Sequence, residues 1–125
     1  MLTPDGVFTY ANAGHGPAIG YIDGKIQHLD SHRTPLGIDF PAGEEPTQST
    51  IQLAHGDRLF LASDGVNESQ APDGQQFSNT PIETAVTDAS QTADQVIESL
   101  NQKLTVHRRG HPVEDDVTML CVDRV

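Results

Sequence analysis

Two stretches of the chain bring carboxylates to the ends of apolar runs. Arg58-Leu59-Phe60-Leu61-Ala62 stops at Ser63-Asp64-Gly65, and Glu114-Asp115-Asp116 leads into Val117-Thr118-Met119-Leu120-Cys121-Val122. If both runs are strands paired antiparallel, the end of one lies beside the start of the other, and Asp64 meets Asp115. Two carboxylates held close repel each other, and a hard divalent cation between them removes the repulsion. Gly65 offers no side chain, which lets a ligand approach the backbone there. Each motif also has a purely structural reading: Asp-Gly is a common turn dipeptide, and Asp-Asp ahead of a strand can simply close a loop. Glu68 and Asp116 are in the same position, either supporting carboxylates of the site or solvated surface.

Other reactive side chains carry less. His15 lies in the Gly-rich stretch Asn12-Ala13-Gly14-His15-Gly16-Pro17, either beside such a site or in a local structural role. His28, His32, His55, His107 and His111 show no paired metal spacing and read as surface. His107-Arg108-Arg109-Gly110-His111 is the basic cluster; it suits a phosphate or, equally, the negative pole of a helix. Cys121 stands alone inside an apolar run, so neither an intramolecular disulfide nor a Cys-rich zinc site is available, and it reads as core.

The elements that must position these residues follow from pattern. Val7–Tyr10 follows the turn Pro4-Asp5-Gly6, and Ala18–Ile22 and Lys25–Leu29 flank Asp23-Gly24, a hairpin signal of the type I′ kind. Residues 31–46 contain three prolines and form a crossing loop. Ser49–Leu53 alternates like a half-buried strand, whereas Arg58–Ala62 is apolar enough to be buried on both faces. Thr80-Pro81-Ile82-Glu83 and Thr92-Ala93-Asp94-Gln95 are capping boxes, the first with proline at the first helical position. Behind the second, Ala93, Val96, Ile97, Leu100 and Leu104 form one apolar stripe, ended by Gly110 and Pro112. Strands, two helices and a returning strand predict an α+β fold, with the striped helix covering an antiparallel sheet.

The chain has 125 residues and a formal net charge of −11. That length suits one domain, and the acidity removes any electrostatic reason to bind nucleic acid or an anionic membrane. No apolar run reaches membrane-spanning length, so the chain reads as a cytoplasmic protein.

Four stretches occur in order: Tyr10-Ala11-Asn12-Ala13-Gly14-His15-Gly16-Pro17; Thr34-Pro35-Leu36-Gly37; Gly56-Asp57-Arg58-Leu59-Phe60-Leu61-Ala62-Ser63-Asp64-Gly65-Val66-Asn67-Glu68; and Asp115-Asp116-Val117-Thr118-Met119-Leu120. Together they resemble the C-terminal portion of the SpoIIE/RsbU-type serine phosphatase domain, a bacterial branch of the metal-dependent PP2C (PPM) phosphatases. The resemblance implies an α-β-β-α sandwich of antiparallel sheets and hydrolysis of phosphoserine or phosphothreonine on a protein. It further implies a pair of Mn²⁺ or Mg²⁺ ions with Asp64 and Asp115 as ligands; Gly65, Glu68, Asp116 and His15 are the candidates for the surrounding shell, each with the structural alternative given above. Such ions activate a bound water, so no side chain acts as nucleophile. The implied partner is a phosphorylated regulatory protein of the anti-sigma-antagonist kind.

The family draws a further ligand from an earlier Asp-Gly segment. Asp5-Gly6, Asp23-Gly24 and Asp73-Gly74 all read as turns, so the chain is expected to begin within the domain. The alternative is a non-catalytic module in which the phosphatase fold binds and regulates a partner. Half a sandwich leaves strand edges open, which predicts a homodimer or packing against an upstream segment.

Overall fold

The computed structural model describes residues 1–29 and 47–125. The expected crossing loop, with Thr34-Pro35-Leu36-Gly37 and His32, lies outside them. The elements are β1 (Val7–Tyr10), β2 (Ala18–Ile22), β3 (Lys25–His28), β4 (Ser49–Gln52), β5 (Arg58–Ala62), α1 (Asp64–Asn67), α2 (Thr80–Val86), α3 (Ala93–Arg108) and β6 (Met119–Asp123).

Four strands form an antiparallel sheet in the order β3-β2-β5-β6, and β1 pairs antiparallel with β4 in a second, two-stranded sheet. The β2–β3 hairpin turns on Asp23 and Gly24, with φ of 49° and 69°, as the type I′ reading requires. β5 is the central strand, and its alternation splits the core. Phe60 and Ala62 pack with Ile19 against Val86 of α2 and Val96, Leu100 and Leu104 of α3. Leu59 faces the other way and joins Leu53, Phe8, Ile51 and Val122 between the two sheets. Helices, four-stranded sheet and two-stranded sheet therefore stack as three layers. Among the described residues no second helical layer covers β1 and β4, so the implied sandwich is present without its fourth layer.

α3 starts as its sequence prescribes: the Gln95 amide donates to Thr92 Oγ1, and the Thr92 amide to Gln95 Oε1. α2 departs from expectation. Its N-cap is Asn79, in a helical conformation without a side-chain cap, and Thr80 already lies inside the helix. The cause is upstream. Ser78 takes a φ of 67° and its amide donates to the Asn67 carbonyl, which starts the helical turn one residue early. β6 begins at Met119 rather than Val117, because the Thr118 amide donates to the Ser63 hydroxyl instead of the strand ladder.

Arg58, 5% exposed, sits on the helix-facing side of β5. Its guanidinium donates to the Asp123 carboxylate, with Nε to Oδ1 at 2.6 Å, and to the carbonyls of Val86, Asp88 and Gln91. Asp123 also accepts from the Ala93 amide at the start of α3. One ion pair thus ties β5, β6, the end of α2 and the start of α3.

Removing one partner of a buried pair strands the other, so Arg58→Met should lower unfolding stability by about 3–5 kcal/mol in chemical denaturation. A loss below about 1 kcal/mol would show the network to be ornamental. The Arg58 hydrogen bond holds the Asp123 carboxyl below its ordinary value of 3.8. A carboxyl whose folded pKa is depressed stabilises the fold above its unfolded pKa, and that stability disappears as pH falls through the folded value. Thermal midpoints should therefore drop more steeply below about pH 4 in the parent than in Asp123→Asn. Parallel acid limbs would refute the assignment.

Candidate metal centre

In the β5–β6 ladder Ala62 stands opposite Met119, so the chain leaving β5 and the chain approaching β6 share one end of the sheet. Ser63 locks them together. Its amide donates to the Thr118 carbonyl at 3.0 Å. Its hydroxyl donates to the Asp116 carbonyl at 2.6 Å and accepts from the Thr118 amide at 2.9 Å. The next contact explains Gly65: a Cβ there would lie 2.4 Å from the Asp116 carbonyl oxygen and 3.2 Å from that of Asp115. The space left by the missing side chain is filled by the 115–116 backbone rather than left open for a ligand.

Asp64 and Asp115 are both exposed. Asp64 Oδ1 accepts from the Gly65 amide at 3.1 Å, and Asp115 Oδ1 accepts from the Asp116 amide at 2.7 Å. Each of these bonds engages one oxygen of its carboxylate. The two side chains open onto neighbouring depressions. Asp115 lines a small pocket of about 90 Å³ with Gly65 and Glu68. Asp64 lines a polar cleft of about 350 Å³ with His15, Asn67, Glu68 and Asn79. Glu68, on the turn after Asp64, is common to both.

His15 stands in the wall of the Asp64 cleft because its loop is pinned there. Its own amide donates to Asn12 Oδ1, and Pro17 accepts from the Ala62 amide. Gly16 packs so closely that a Cβ would lie 2.7 Å from the Asp64 nitrogen. Asp116 contributes its carbonyl to the junction and its side chain to neither depression.

Three further residues shape this end of the molecule. Ser63 is the bridge just described. Asn67 has a buried Oδ1 without a hydrogen-bond partner and lines the Asp64 cleft. Ser69 donates to the Gly65 carbonyl at 2.7 Å and accepts from Arg108, tying α1 to the end of α3. Ser63 and Asn67 lie within the quoted Gly56–Glu68 stretch, but their roles depend on contacts that the stretch alone does not show. His107 is more than surface: its ring meets Phe77 edge-on and its Nε2 contacts the Gln75 carbonyl. The three other Asp-Gly pairs remain away from the junction; Asp73-Gly74, for example, is closed by the Gly74 amide on Ala71.

Carboxylate oxygens are the right donors for Mn²⁺ or Mg²⁺, and such ions commonly keep several waters and take only one or two protein carboxylates. Among the described residues no group of three or more His, Cys, Asp or Glu side chains could hold a metal. The donor chemistry fits the ions, while the donor count leaves positions for ligands from elsewhere.

The family profile for Stage II sporulation protein E (SpoIIE) matches residues 3–125. Protein IcfG of Synechocystis is 24% identical over 120 residues, spanning 96% of this chain and 19% of that protein. The SiaA-PP2C domain of Pseudomonas aeruginosa shares the fold with a TM-score of 0.76 at 22% identity, over 95% of this chain and 47% of that one. The manganese-presoaked phosphatase domain of the cell fate determinant SpoIIE from Bacillus subtilis gives 0.69 at 15% identity, over 98% of this chain and 53% of that one. The chain thus spans about half of these structures and a fifth of the curated relative.

If the junction is as tight as these contacts indicate, Gly65→Ala should cost about 1–3 kcal/mol of stability through overpacking against backbone. Ser63→Ala should speed hydrogen exchange at the Thr118 amide, which loses its acceptor. A Gly65→Ala protein as stable as the parent would overturn the packing account.

Proposed function

The chain belongs to the SpoIIE family of PP2C-type phosphatase domains, and on that premise we propose that it is the C-terminal part of a metal-dependent protein serine/threonine phosphatase. Its substrate class is a phosphorylated regulatory protein. The observation that supports this most is the junction at Gly65, where the Asp64 segment and the Asp115-Asp116 backbone are in contact at one end of the central sheet.

Asp64 and Asp115 are the residues that would hold Mn²⁺ or Mg²⁺. When bound, such ions neutralise charge on phosphoryl oxygens and raise the nucleophilicity of water near neutral pH. The protein's part is to present donors already in place. The amides of Gly65 and Asp116 each fix one oxygen of the neighbouring carboxylate, which keeps the other for ligation. Ser63 fixes the separation of the two segments, so the donors need not be gathered from independent loops at each turnover. Glu68 adds a carboxylate shared by both depressions, able to accept a hydrogen bond or proton from water. Cys121 takes no part, since burial pushes its thiol up to about 11 and an inert thiol is a poor nucleophile.

The shortage of clustered ligands among the described residues favours one second reading, a binding module that keeps the fold and lacks turnover. A Mn²⁺-dependent assay on p-nitrophenyl phosphate and a phosphoserine peptide, using this chain and an N-terminally extended form, separates the two. The extended form should hydrolyse both, and Asp64→Asn or Asp115→Asn should reduce the rate roughly a hundredfold or more, about 3 kcal/mol of lost charge stabilisation. An extended form that is inert on both substrates would leave the binding module.

A further inference from the structure

A groove of about 870 Å³ runs between α2, α3 and the loop before α2. Ala71, Phe77, Pro81 and the side of Val106, itself 73% exposed, give it apolar walls. Lys103 and Arg109 line it as well, while Arg108 is turned to Ser69. In a chain of net charge −11 this stands out: two of the seven lysines and arginines line one groove. Arg58 is buried on Asp123 and Arg124 donates to the Leu53 carbonyl, so neither offers a comparable patch. The helix dipole accounts for cations in the last turn of α3, but Lys103 precedes that turn. One acidic side chain, Asp73, lines the groove, and its carboxylate is engaged by the Gln75 amide.

The groove also borders the pocket of the proposed centre. Gln76 lines both the groove and the small pocket that holds Asp115 and Gly65.

We propose that this groove binds an acidic segment of the protein substrate, with an apolar side chain against Val106 and Pro81 and carboxylates on Lys103 and Arg109, so that the phosphorylated residue beyond it reaches the Asp64–Asp115 end. The occupant's role as substrate rests on the phosphatase reading; its binding does not. Complementary charge gives the encounter its specificity and its salt dependence.

Arg109 supplies an unusually clean probe. It caps α3 with a φ of 48°, the left-handed conformation that glycine adopts without strain. Arg109→Gly should therefore raise the thermal midpoint while weakening the groove, so that lost binding cannot be lost folding. The experiment is fluorescence anisotropy of a labelled, unphosphorylated Glu/Asp-rich peptide containing one leucine, against its Gln/Asn counterpart, on this chain without metal.

The acidic probe should bind more tightly, weaken as salt rises, and lose roughly threefold to fivefold in affinity with either Lys103→Gln or Arg109→Gly. In the extended enzyme the same variants should lower the ratio of kcat/KM for an acidic over a neutral phosphopeptide. Equal binding of the two probes, or undiminished binding in the double variant, overturns the proposal. So does a dimer in sedimentation that the double variant disperses, since a second copy would then be the occupant. Peptide binding with an inert extended enzyme would refute the phosphatase reading alone. An active enzyme indifferent to peptide charge would refute the groove alone.

Discussion

The backbone of Gly65 rests against the carbonyl of Asp116 with no room for even one methyl group. That contact holds the architecture of this end of the molecule together. It forces the chain leaving β5 to turn immediately into α1 while the segment approaching β6 passes across it. The Ser63 hydroxyl, donor to the Asp116 carbonyl and acceptor from the Thr118 amide, fixes the crossing. With both of its functions used, that hydroxyl holds the 116–118 segment at two points.

The opposite end of the same ladder is fixed by different chemistry. Arg58 pairs with Asp123 in register, and the guanidinium gathers three carbonyls from the α2–α3 connection. A slip of one residue in β6 would turn every side chain to the other face and break both ends together. The two pins leave β5 and β6 a single alignment, and the carboxylates at the Gly65 end inherit that precision.

Much of this was legible from local pattern. The alternation in Ser49–Leu53, the Asp23-Gly24 turn, the doubly buried run at Arg58–Ala62 and the Thr92/Gln95 box each carry their own structural instruction, and the structure follows them. The antiparallel meeting of Ala62 with the segment before β6 was also readable, because an apolar run ending in Asp-Gly and another beginning after Asp-Asp are natural neighbours. What was not legible depends on contacts between distant segments. Thr80 looks like a cap, but the bond from the Ser78 amide to Asn67 decides where α2 starts. Gly65 looks like a door for a ligand, yet the chain itself fills the space. Arg58 looks like the polar start of a strand, and only its three-dimensional partners make it a core residue. The groove beside α3 depends on Phe77 anchoring its loop in the core and against His107, which no periodicity announces.

The account stands on Asp64 and Asp115 serving one ion. Paramagnetic broadening of amide resonances by sub-stoichiometric Mn²⁺ tests that directly, because the effect reports proximity even where affinity is weak. The amides around 64–65 and 115–116 should lose intensity together over the same Mn²⁺ range, and Asp64→Asn should restore the signals at 115–116 as well as its own. Broadening that appears at the two segments over different ranges, or that persists at 115–116 in Asp64→Asn, would mean that the aspartates bind separately and that the centre does not exist.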